Sequence, residues 1–123
     1  MNRILAFVAA LTLAVGVASA EPMPGADVEA LLKGNTFGIT YEGGEGSITW
    51  HDDLTITMSL KQPDGTTAKD SGTYRFDGKG YCSAWEALAQ RTEERCFTIV
   101  KTGDSTYDIV NPDGSIDSKM TAK

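Results

Sequence analysis

Basic side chains are scarce in this chain: 11 lysines and arginines stand against 17 aspartates and glutamates. Nucleic acid and anionic membranes are bound through clustered positive charge, so the balance argues against both as partners. Histidine is scarcer still. His51 stands alone beside Asp52 and Asp53, and no G-x-S-x-G segment supplies the exposed nucleophile of a hydrolase. The two cysteines, Cys82 and Cys96, lack the C-x-x-C spacing of a redox centre. The one long apolar run, Ile4 to Val17, is roughly 14 residues, short of the ~20 that span a bilayer.

That run has the marks of an export signal. Asn2-Arg3 gives it a positive start, and Ala18-Ser19-Ala20 supplies the small residues a signal peptidase reads. Cleavage after Ala20 is expected, with residues 1–20 a signal peptide and 21–123 a single domain in the periplasm or outside the cell. No cysteine adjoins the site to carry a lipid, so the mature form is expected to be free of the membrane. Only Arg3 among the charged residues lies before Glu21, which leaves a mature charge of about −7. Such a surface favours solubility and cationic partners.

In an exported chain two cysteines suggest one disulfide. Thirteen residues lie between Cys82 and Cys96, and closing a loop of that size contributes about 3 kcal/mol in the chain-entropy account. If Tyr81, Ser83, Trp85, Phe97 and Ile99 face inward, strand alternation turns both cysteines outward.

After Glu21-Pro22-Met23-Pro24-Gly25, the spacing of Val28, Leu31 and Leu32 predicts a helix from Ala26 to Lys33, ended by Gly34. So short a helix must cover something, such as the open end of a barrel or the edge of a sheet. The period then changes to two. Phe37, Ile39 and Tyr41 alternate with polar residues, then Ile48 and Trp50, then Leu54, Ile56, Met58 and Leu60. Gly72, Tyr74 and Phe76 share one parity, and further strands run through Tyr81 to Trp85, Cys96 to Lys101, Ser105 to Asn111 and Ile116 to Met120. Glu42 to Gly46 and the pairs Asp64-Gly65, Asp77-Gly78 and Asp113-Gly114 read as turns. The pattern predicts an all-β fold: a small antiparallel barrel or sandwich of about seven or eight strands, with one short N-terminal helix. The nine aromatic residues after Ala20 mostly fall on inward positions and are the expected core.

Other chemistry finds little footing on this scaffold. His51, Asp52 and Asp53 hold the donors of a partial metal site, but adjacent strand residues face opposite ways, and a solvated turn explains them. The Asp-Gly pairs lack calcium-loop spacing. No catalytic residue, metal or cofactor is expected. The segment Glu86 to Arg95 is the longest insertion between strands, and the suspected disulfide holds both its ends. It could contain a helical turn. Its charged and polar residues Glu86, Gln90, Arg91, Glu93, Glu94 and Arg95 form a candidate interaction loop, since recognition concentrates on loops that a rigid scaffold presents. The alternative is a merely solvated connection.

The segments Leu32-Lys33-Gly34-Asn35-Thr36, Asp64-Gly65-Thr66, Gly72-Thr73-Tyr74, Tyr81-Cys82-Ser83-Ala84-Trp85, Cys96-Phe97 and Gly103-Asp104 with Tyr107 resemble small secreted alphaproteobacterial proteins that carry domains of unknown function. The resemblance implies a small periplasmic β-rich domain with a cysteine pair and transfers no functional residue. Periplasmic β-barrel inhibitors of lysozymes and metalloproteases share size, export and disulfide use, without their motifs being evident here. The expected function is therefore a non-catalytic binding module, in one form a protein inhibitor, that engages another envelope or extracellular protein through its loops. The alternative is a lipocalin-like carrier whose barrel encloses a small apolar ligand.

Overall fold

The computed structural model describes residues 21–123; the expected signal peptide lies outside them. The helix α1 spans Gly25–Leu32. Eight strands follow: β1 Asn35–Tyr41, β2 Gly44–Trp50, β3 Thr55–Lys61, β4 Thr67–Phe76, β5 Tyr81–Trp85, β6 Arg95–Lys101, β7 Thr106–Val110 and β8 Ile116–Ala122. Each pairs antiparallel with its sequence neighbours, and β8 pairs with β1 to close a barrel. Closure leaves no edge strand open to another chain.

Alternation decides which side chains fill the interior. Phe37 and Ile39 of β1, Ile48 and Trp50 of β2, Ile56, Met58 and Leu60 of β3, and Ile99 of β6 are all buried. Trp50, with no exposed surface, packs T-shaped against Phe37 and Tyr81 at centroid distances of 5.7 and 5.5 Å. Seven of the nine aromatic residues are buried in this core, and Tyr41 and Phe76 pack half-buried against it.

Helix α1 lies at the barrel end where β1 begins, and Val28 and Leu32 are fully buried there. Gly34, at φ +79°, ends the helix and donates its N–H to Trp50 O at 2.6 Å, turning the chain directly into β1. Ahead of the helix, Met23 N donates to Ile99 O at 2.7 Å, so the lead segment is laid along β6.

Two strand glycines let the wall bend. A Cβ at Gly46 would stand 1.8 Å from Ser59 O, and one at Gly72 would stand 2.0 Å from Ala84 O. No side chain fits between the backbones at these two points, where a small barrel must curve sharply.

Several sequence expectations change. The first hairpin turn is only Glu42-Gly43, both at positive φ as a tight two-residue turn requires, and Gly44 to Gly46 belong to β2. Leu54 is not the first inward residue of β3. It lies in the preceding turn, 43% exposed at φ +70°. Ile116 is likewise 51% exposed, because a register shift between Ile109 and Val110 breaks the alternation at the start of β8. Residues 86–94 form bends and a turn with no helix.

Candidate functional site

The end of the barrel opposite α1 carries the turns 42–43, 62–66 and 111–115 and the long β5–β6 loop, residues 86–94. That loop is built from below. Cys82 and Cys96 stand directly opposite each other on β5 and β6 and are joined by a disulfide with S–S 2.06 Å. They are on the outward parity, as alternation requires, yet Cys82 is fully buried and Cys96 half-buried. Asp77 helps to cover them, its Oδ2 3.6 Å from Cys82 Sγ. The bridge closes the seam that most needs it, since β5 and β6 share only three register pairs.

Asp70, an ordinary strand carboxylate with no distinguishing sequence signal, organises the start of the loop. Its carboxylate accepts the N–H groups of Ala87 at 3.1 Å and Leu88 at 2.7 Å, after Glu86 N has donated to Ser71 O. Arg91 N then donates to Leu88 O and Trp85 N to Arg91 O, at 2.9 and 2.8 Å, folding the loop back on itself. Gln90 makes the reversal at φ +63°.

Of the six loop residues singled out in the sequence, Arg91 has a distinct role. It points down into the barrel mouth, pairs with Asp117 at the start of β8, and lies over the rings of Tyr41 and Phe97 at 5.4 and 5.7 Å. The two charged side chains are only 12% and 8% exposed. Burial opposes the charge on Arg91, but the Asp117 hydrogen bond and field outweigh it and hold the guanidinium above its ordinary value. Glu94 is clamped sideways, accepting Arg75 Nε and Nη2 at 2.9 and 2.8 Å in a two-point contact that keeps its carboxyl below the usual range. Arg95 is half-buried, with Nη2 3.5 Å from Asn111 Oδ1. Glu86, Gln90 and Glu93 are exposed and make no side-chain hydrogen bond among the described residues. They are what the loop presents.

Beneath Arg91 the interior keeps about 20 Å³ of open space, bordered by Ser83, Ser118, Met58 and Trp85. One water fits such a space.

The remaining candidates resolve into structural roles. His51 Nε2 meets Thr57 Oγ1 at 2.9 Å and its carbonyl accepts the Tyr74 hydroxyl at 2.8 Å, while Asp53 turns to Thr55. The three neighbours do not converge on a metal position. Asp64 and Asp113 each accept the N–H and hydroxyl of the residue two places on, Thr66 and Ser115, and these bonds hold both carboxyls below their ordinary value. Asp77 accepts Gly80 N and Lys79 N in the same spirit. Among the described residues, the one cluster of three potential metal ligands is Asp77, Cys82 and Cys96, whose sulfurs are bonded to each other. No described helix is long and apolar enough to cross a membrane. No family model matches this chain, and neither a curated protein nor a solved structure matches it.

Proposed function

We propose that this chain is an exported, non-catalytic binding module that engages another envelope or extracellular protein through the 86–94 loop, in the manner of a protein inhibitor. The observation that carries this reading is how firmly the loop is fixed relative to how little of it is used internally. The disulfide, the Asp70 carboxylate, the buried Arg91–Asp117 pair and the Arg75–Glu94 contact hold it from four sides. Glu86, Gln90 and Glu93 remain exposed at its surface. A loop already ordered before binding loses less entropy when it meets a partner. The filled interior supports the same reading over a ligand carrier, since about 20 Å³ compares poorly with the roughly 300 Å³ of a small-molecule pocket.

The test is affinity capture from envelope extract with residues 21–123 as bait, beside a Glu86→Lys, Gln90→Ala, Glu93→Lys triple variant. A partner retained by the parent and lost by an equally stable triple variant supports the loop. Equal capture by both overturns it, and a small molecule retained in native mass spectra would favour the carrier instead.

A further inference from the structure

Gly38 is a glycine that the barrel does not require. It lies in the middle of β1, between inward Phe37 and Ile39, and its partners are Ser47 and Thr121. Its φ is outside the left-handed region, and a Cβ there would meet nothing nearer than 3.7 Å. Glycine within a strand costs about 0.5–1 kcal/mol relative to alanine, and where no bend needs it, it can mark a place where another molecule comes close.

The outer surface above Gly38 is concave. A groove of about 680 Å³ crosses β8, β1, β2 and β3, with Gly38 in its floor and Thr40, Glu45, Lys61, Pro63 and Lys119 among its walls. Lys123 Cε comes within 4.0 Å of the position a Gly38 Cβ would take. Two lysines and one carboxylate therefore line the groove, with Lys123 close by, on a domain whose charge is about −7. Lys61 makes no ion pair among the described residues. Lys119 reaches Asp108 at 3.3 Å, and its own side chain stays 64% exposed while that of Asp108 is 13% exposed, so the ammonium keeps an open side toward the groove. The 86–94 loop belongs to β5 and β6, across the barrel from this groove.

We propose that the groove is a second binding surface, and that it takes an extended acidic segment of a partner polypeptide. The excess of lysine selects negative charge against the sign of the domain as a whole. Only the flexible end of Lys123 lies over the Gly38 floor, and once it swings aside a partner's backbone can lie close; no aromatic ring lines the groove to stack on a sugar.

A fluorescein-labelled peptide of alternating Glu and Ser is the probe, read by anisotropy at low and high salt. Polygalacturonate is the comparison for an anionic polysaccharide. The parent domain binds the peptide, and binding weakens as salt rises. Gly38→Thr fills the groove and keeps or raises Tm; it and the Lys61→Gln, Lys119→Gln double variant each bind about tenfold more weakly, or 1.4 kcal/mol. The proposal is overturned if the parent does not bind the peptide or if polygalacturonate binds in its place. Parent-like binding by Gly38→Thr or by the lysine variant also overturns it, and so does a large fall in Tm for Gly38→Thr, which would return the glycine to the fold.

Discussion

Arg91 and Asp117 stand 26 residues apart in the chain and pair across the mouth of the barrel, nearly out of reach of water. The pair ties the β5–β6 loop to the start of β8, which in the sheet is separated from β6 by β7. Removing one partner leaves a buried charge without compensation, at a cost of about 3 kcal/mol. Asp117→Ala and Arg91→Ala are each expected to lower stability by that order in urea unfolding. The double variant is expected to lose much less than the sum, because the pair acts as a unit. Additive losses would show the two charges to be independent.

The disulfide is expected to matter most at its own seam. Cys82→Ser, or reduction of the parent, is expected to cost about 3 kcal/mol, visible as a lower Tm. Trypsin cleavage at Arg91 and Arg95 is expected to accelerate as the seam opens. A reduced protein with the parent's Tm and cleavage pattern would mean that the other seven ladders hold the barrel unaided.

Leu54 occupies a glycine's place. The turns 51–55, 62–66 and 111–115 share one pair of backbone bonds, and their fourth residues are Leu54, Gly65 and Gly114, all at positive φ. A left-handed conformation costs a side-chain-bearing residue about 1–2 kcal/mol. Leu54→Gly is therefore expected to raise stability by about 0.5–1 kcal/mol even after the added freedom of the unfolded chain. A fall in Tm would mean that the leucine side chain repays the strain through contacts of its own.

Gly72 and Gly46 are expected to tolerate nothing larger. Gly72→Ala drives a methyl group into Ala84 O and is expected to cost about 3 kcal/mol or more. Chemical denaturation of Gly72→Ala beside Gly38→Thr separates the two kinds of strand glycine in one experiment.

Acid is expected to loosen the turns. The hydroxyl and backbone bonds from Thr55, Thr66 and Ser115 lower the pKa of Asp53, Asp64 and Asp113, and Gly80 N does so for Asp77. A carboxyl with a folded pKa below its unfolded value stabilises the fold fully above about pH 4. That contribution is lost as pH falls through the lower, folded value. Tm is thus expected to be level near neutrality and to fall below about pH 4, with a shallower fall in an Asp64→Asn, Asp113→Asn variant. Parallel curves would assign the acid response to other groups.

Much of the barrel was legible because period-two alternation is a local property. Ile56, Met58 and Leu60 announce their strand, and Val28 with Leu32 announces a helix that needs cover. The exceptions are local too, but of another kind. Leu54 and Ile116 carry the right residue type in the right phase, and a left-handed turn and a register shift remove them from the interior. At the candidate site, the cysteines and the loop between them could be read from spacing. Asp70 and Asp117 could not, since each is an ordinary strand carboxylate whose partner, Leu88 N or Arg91, lies 18 or 26 residues away. The inward turn of Arg91 had no sequence signal either: within a loop of mixed charge, only the position of Asp117 distinguishes it from Arg95.

The pairing of β8 with β1 makes the strand order a ring. Seven ladders join neighbours along the chain, six of them through short turns and one through the 86–94 loop, while the eighth brings Phe37 beside Ala122 and carries the largest entropic cost of closure. Hairpins can therefore form early and in any order, and the step that commits the chain is the last stitch. A permuted chain that joins the two terminal strands directly and opens at the 102–105 turn would keep every ladder and move that stitch to β6 and β7.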